Sequence, residues 1–153
     1  MRGLSFTVDG ELYAVDVTLV QKVARKLPVT RVPSAPAEVI GIANLKGRVV
    51  TVLSLSKLFG NDDPYESEQY PNTIVFKSCS GAEDQMGLSI EKPGNLIYIE
   101  SDAIRSPPKT AETEKTPFLT GVAEISEEFF RIIDIDIIRK KYTHSIDADS
   151  SIS

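Results

Sequence analysis

Residues 41 to 58, GIANLKGRVVTVLSLSKL, fall without a gap on residues 121 to 138, GVAEISEEFFRIIDIDII, at an offset of 80 (121 − 41). Gly41, Ala43 and Leu45 meet Gly121, Ala123 and Ile125, and after a turn the apolar pairs of VVTVLSL fall on those of FFRIIDI. An upstream segment corresponds as well, because Tyr13, Val15 and Val17 fall on Met86, Leu88 and Ile90 at an offset of 73 (86 − 13), with loops absorbing the difference. Self-similarity at a fixed period outranks any single motif as a constraint on architecture. The chain reads as two copies of one β unit.

Each copy offers about five short strands, too little chain for a comfortable core of its own. A small sheet curled into a barrel hides its edges. If two such barrels pack together, the central strand of each has one face in its own barrel and the other in a shared core. A strand covered on both sides loses its polar–apolar alternation, which is what VVTVLSL and FFRIIDI show. The competing reading is one larger sheet with an accidental repeat.

Local signals fill in the elements. Asp9-Gly10 is the pair a two-residue hairpin turn prefers, and pairing outward sets Val8 opposite Glu11, Phe6 opposite Tyr13 and Leu4 opposite Val15. Pro28 argues against a helix in residues 20–32, so VQKVARKLPVTRV reads as extended chain at a sheet edge. SAPAEV, with Ser34 as a cap, reads as about one helical turn. Strands follow at 39–44 and 49–55 around a Lys46-Gly47 turn, with a short helix at 56–59 stopped by Gly60. Further strands are expected at 73–77, 86–90, 118–125 and 129–135, with NLIYI extended and IDIIRKKY a final helix. Residues 106–117 read as a mobile loop and 143–153 as a disordered tail.

Composition excludes several classes of activity. Seventeen Lys/Arg against 22 Asp/Glu leave a net charge of −5, which argues against general nucleic-acid binding. The charge is uneven: residues 2–60 carry eight basic against four acidic groups (+4), and residues 61–153 nine against eighteen (−9). No apolar run approaches the roughly 20 residues that span a bilayer, so direct membrane insertion is not expected and the chain reads as soluble and cytoplasmic. The single cysteine, Cys79, allows no intrachain disulfide and no thiolate cluster. The single histidine, His144, lies in the polar tail, so no triad or histidine metal site can be assembled. Phosphate-cradling glycine loops are missing too. Asp134 with Asp136 and Glu127 with Glu128 read as solvated carboxylates. No cofactor or metal is implied, and the chain is expected not to be an enzyme.

The stretches YAVDVTLVQKV, VTRVPSAP and VIGIANLKGRVVTVLSLSKLFG, closed by FLTGVAEISEEFFRIIDIDII, resemble the CheW family of chemotaxis coupling proteins. The similarity covers about residues 4–142, and its first half is the more specific. It implies an all-β fold of two five-stranded SH3-like barrels sharing a hydrophobic core, with short helices, as one domain over residues 1–142. Residues 14–72 are expected mainly in the first barrel and 73–135 mainly in the second, with terminal segments open to exchange. The resemblance further implies a non-catalytic adaptor that links the cytoplasmic tips of chemoreceptors to the regulatory domain of a CheA-type histidine kinase, within a signalling array.

Carried over by position, the arginine of the family's N-L-R-G turn falls on Lys46 and the glycine before it on Gly41. The apolar and acidic positions of its V-Q-E fall on Val20 and Lys22. Together with Arg48, which flanks the same turn, these are the expected protein-contact residues. Lys46 keeps the charge but loses the bidentate fork of arginine, and Lys22 reverses a usual glutamate. Ser54 stands where the family has an aspartate, and Pro93 suggests an edge or an early strand end. The alternative function is a small-molecule or peptide-binding β sensor outside chemotaxis, using the cleft between barrels.

Overall fold

The computed structural model describes residues 1–78, 84–106 and 118–142. Cys79, His144, most of the 106–117 loop and the 143–153 tail lie outside the described residues.

The N-terminal hairpin pairs Arg2–Val8 (β1) with Glu11–Asp16 (β2) across a turn with φ of 52° at Asp9 and 78° at Gly10. Val8, Phe6 and Leu4 lie opposite Glu11, Tyr13 and Val15, the register read from the turn. A single 3₁₀ turn then leads into Val20–Arg25 (β3). Val39–Leu45 (β4) and Arg48–Ser54 (β5) form the second hairpin, and Leu55–Leu58 (α1) follows at once. The remaining strands are Asn72–Phe76 (β6), Gln85–Ile90 (β7), Lys92–Tyr98 (β8), Ile104–Arg105 (β9), Leu119–Ile125 (β10) and Glu128–Ile133 (β11). Residues 135–142 form the last helix (α2).

One expected element is absent. Residues 33–38 make turns instead of a helical turn, and Ser34 has φ of 63°, whereas a helix cap needs an extended backbone. Pro36 is the reason, because it pushes Ala35 out of the helical region just where a helix capped by Ser34 would begin.

The strands form a six-stranded sheet, β8-β1-β2-β11-β10-β9, and a five-stranded sheet, β3-β6-β7-β5-β4. The repeat maps β8, β1, β2, β11 and β10 onto β3, β6, β7, β5 and β4, so the two orders are identical. Registers coincide as well. Arg131 and Ile132 pair in parallel with Tyr13 and Ala14, and their counterparts Thr51 and Val52 pair in parallel with Met86 and Gly87. The extra strand β9 has its equivalent in the isolated bridge between Thr30 and Ile42, which matches the pairing of Arg105 with Val122.

In each sheet the hairpin comes from the other sequence copy. β1 and β2 join β8, β10 and β11, while β6 and β7 join β3, β4 and β5. The expected division near residue 72 is therefore corrected: residues 20–90 build one sheet, and residues 2–16 with 92–133 build the other. The cause is the parallel β5–β7 pairing, which draws the second hairpin into the first unit. The exchange also softens the charge asymmetry. Residues 20–90 carry eight basic and seven acidic groups (+1), and residues 1–19 with 91–134 carry six and twelve (−6).

Three cores account for the lost alternation. On β5, Val50 and Val52 join Ala43 and Val75 inside their own unit, whereas Leu53 and the following Leu55 enter a core shared with Phe6, Val15, Ile74 and Leu88. On β11, Phe130 and Ile132 pack with Ala14, Ala123 and Ile99, while Ile133 and Ile135 enter the shared core. Both central strands are thus covered on both faces, and a single larger sheet is excluded.

The helices repeat with one difference. Ser54 Oγ accepts the Lys57 N–H at 3.2 Å, and Asp134 Oδ1 accepts the Ile137 N–H at 3.3 Å. Serine and aspartate cap a helix about equally well, so Ser54 replaces the usual aspartate at little cost. Gly60, at φ 88°, ends α1 after one turn. Its counterpart is Lys140, and α2 continues to Tyr142, burying Ile135, Ile138 and Tyr142 in the shared core. Pro93 lies in β8, an edge strand, where its missing N–H is tolerated.

Candidate protein-binding surface

The hairpin between β4 and β5 ends in a turn with φ of 52° at Lys46 and 83° at Gly47, the signature of a type I′ turn. The Asn44 Oδ1 accepts the Gly47 N–H at 2.9 Å and stiffens it. Lys46 is exposed at the tip and has no ion pair or hydrogen bond among the described residues. Arg48, also exposed, donates from Nη1 to Ser78 Oγ at 3.3 Å, so its side chain is turned toward the β6–β7 connection.

That connection gathers more of the expected residues at one end of the sheet. The Lys77 N–H bonds the Leu19 carbonyl at 2.8 Å, next to half-buried Val20, which pairs with Phe76 and packs on the shared core. Lys22, exposed on edge strand β3, follows two residues on. Arg139 of α2 donates to the Lys77 carbonyl at 2.9 Å and lies 3.6 Å from Asp136. Gln85, also at this end, donates to Gln21 and to the Phe76 carbonyl. Lys77 and Arg139 thus extend the basic end in a way the sequence did not indicate, because only the fold brings the end of β6 to Arg48 and α2 to Lys77.

Gly41 behaves differently. It is buried, and a Cβ there would stand 2.1 Å from the Thr30 carbonyl oxygen; at its counterpart Gly121 the distance to the Arg105 carbonyl is 2.5 Å. Glycine is required in both copies so that the chain can cross β4 or β10 closely. Gly41 positions the hairpin and offers no side-chain contact.

Solvent-facing apolar groups repeat with the units. Val49 and Phe129, 43% and 63% exposed, occupy equivalent positions next to the two hairpin turns, and Val23 and Leu96 occupy equivalent positions on the two edge strands. Isolated exposed apolar groups are ordinary, and their repetition follows from the repeated fold.

Among the described residues no cluster of His, Cys, Asp or Glu can hold a metal, and no helix is long and apolar enough to cross a membrane. Asp9 accepts hydrogen bonds from Ser56 and Tyr70, tying the β1–β2 turn to the other unit. Burial, and then that bond to the Asp9 carboxylate, push Tyr70 up to about 12. Tyr13 and Tyr142 are likewise pushed up to about 12, by burial first; Arg131 opposes the shift at Tyr13, and Glu38 adds to it at Tyr142. These are structural phenols inside or beside the shared core.

Two exchanged β units with exposed, partner-ready edges and tips define a protein-interaction module. The chain belongs to the CheW-like domain family, which it matches over residues 2–141. It is 28% identical over 133 residues to the chemotaxis protein CheW of Klebsiella aerogenes, covering 87% of this chain and 78% of that one. To the chemotaxis protein CheW of Thermotoga maritima it is 39% identical over 101 residues, 66% of this chain and 64% of that one. Its fold matches the crystal structure of the scaffolding protein TtCheW from Thermoanaerobacter tengcongensis with a TM-score of 0.74 and 27% identity, covering 86% and 87% of the two chains. None of these relatives supports a sensor outside chemotaxis.

Proposed function

We propose that the chain is a non-catalytic, cytoplasmic adaptor of bacterial chemotaxis that couples the cytoplasmic tips of chemoreceptors to the regulatory domain of a CheA-type histidine kinase. The observation that carries this reading is the match to the CheW-like family across residues 2–141, which spans both exchanged units. In this reading Lys46 is the contact residue of the basic end, held out on a stiff turn. Arg48 steadies the tip through Ser78, Gly41 fixes the path of the hairpin, and Val20 with Lys22 supplies the adjoining edge of β3. Apolar anchors set the affinity of such contacts, and rim charges set register and association rate.

Lysine binds a carboxylate as a point charge, without the planar fork of arginine, so the partner of Lys46 need not present a flat bidentate face. The test is co-purification of the chain with a CheA regulatory domain and with a receptor cytoplasmic fragment, for wild type and Lys46→Glu. Capture of both partners by wild type, and weaker capture of the receptor fragment by the variant, are expected. Wild-type binding to neither partner overturns the function; undiminished binding by the variant overturns the role of Lys46.

A further inference from the structure

The two units match strand for strand, so their interiors can be compared position by position, and they are not equally filled. Where one unit has Phe130, Ile132, Ala14 and Ile97, the other has Val50, Val52, Gly87 and Ala24. The largest difference lies at the end of the edge strand. Ile99 is 1% exposed and belongs to the core of its unit, and its N–H bonds the Met1 carbonyl at 2.8 Å. The matched residue is Lys26, whose N–H bonds the Pro71 carbonyl at 2.7 Å in the same way, but which is charged, exposed and at φ 53°. The isoleucine that plugs one barrel mouth is missing from the other.

Thr73 stands in place of Gly3, and half-buried Leu27, next to Lys26, packs against the core of this unit from the mouth. A cavity of about 680 Å³ remains at this mouth, between β3 and β4, with Leu27, Val29, Ile40 and Val52 on its apolar wall and Tyr65 and Tyr70 at its side. Its lining contains three cations, Arg25, Lys26 and Arg31, against one carboxylate, Glu68. None of the three makes an ion pair among the described residues. Sites for small organic ligands have this size and this pairing of an apolar wall with a few charged groups.

We propose that this mouth binds an amphipathic organic anion, its apolar body occupying the space that Ile99 fills in the other unit and its carboxylate held by Arg25, Lys26 and Arg31. The inference does not rest on the adaptor function, and the site lies at the opposite end of the sheet from Lys46. Arg25 and Arg31 bring planar guanidinium forks suited to a carboxylate.

Sodium octanoate and 3-phenylpropanoate are the probes, with octan-1-ol as the uncharged control, followed by amide chemical shifts and titration calorimetry on the full chain. Saturable one-site binding of at least one carboxylate is expected, with shifts concentrated at residues 25–31 and 65–73. The Arg25→Ala/Arg31→Ala double variant, at exposed positions where folding is not at stake, should weaken it about tenfold, the loss expected when charge-assisted hydrogen bonds are removed. Val52→Ile, which copies the fuller unit at Ile132, should weaken it as well, and Lys46→Glu should leave it unchanged. Absence of saturation by either carboxylate up to ~10 mM, a weak-binding limit, would overturn the proposal. So would octan-1-ol shifting the same residues as strongly, or full affinity in the arginine double variant.

Discussion

Leu53→Ala tests whether the central strand serves two cores. Leu53 is fully buried, lies opposite Val39 and beside Leu88, and shares its core with Leu55, Phe6 and Val15, so both units close around it. A leucine truncated in such a site costs about 2–5 kcal/mol, toward the upper half where neighbours cannot collapse, so roughly 3–4 kcal/mol is expected. The adjacent Val52 points the other way, into a unit whose mouth is already hollow. Val52→Ala forfeits fewer contacts and should cost about 1–2 kcal/mol. In a chain of this size the leucine variant should lose on the order of 6–16 °C in Tm. Urea unfolding with amide hydrogen exchange separates the cases, since Leu53→Ala should lower protection of Ala14, Val15 and Ile132 in the other sheet as well as of β5. Unchanged protection there, or equal costs for the two variants, would refute the shared core.

Gly41→Ala should destabilise by about 2 kcal/mol or more, because its Cβ meets backbone at Thr30 rather than a movable side chain; a melting temperature within 2 °C of wild type, about the shift that 1 kcal/mol or less produces, contradicts this. Stability should fall on the alkaline side. Tyr13, Tyr70 and Tyr142 titrate near 12 when folded against 10.0 when exposed, so their contribution is full below pH 10 and is lost between about pH 10 and 12 as the unfolded state sheds its protons first. Urea midpoints that stay flat through pH 11.5 would show otherwise. Association with the kinase regulatory domain should weaken only modestly with salt, since the exchange leaves the two units at +1 and −6; a steep loss between low and physiological salt, read by calorimetry, would require a charge complementarity this distribution does not supply.

The strands and their faces were legible because alternation, turn residues and caps act over short distances: the Asp9-Gly10 turn fixes its own register, and Gly60 its own helix end. The hairpin exchange was not, because an offset of 73 or 80 reports which segments are alike, not which of two equivalent strands pairs with which. Only the parallel β5–β7 and β2–β11 ladders decide that. Ser34 is no helix cap, because Pro36 restricts the backbone of Ala35 where the helix would begin. In the candidate site, Lys46 and Arg48 could be placed on a hairpin tip from sequence, whereas Lys77 and Arg139 join them only through the fold. Gly41 lets Thr30 approach closely, a role that only the fold makes visible. The hollow barrel mouth had a signal, the smaller residues of one copy, which becomes readable once the exchange says which hairpin lines which interior.

The most direct test of the account is reconstitution of a ternary assembly from a receptor cytoplasmic fragment on vesicles, a CheA-type kinase and this chain, followed by sedimentation and kinase autophosphorylation. The account predicts that the kinase sediments with the receptor and is activated only when the chain is present. Recruitment and activation that are the same with and without it would contradict the assignment as a coupling adaptor.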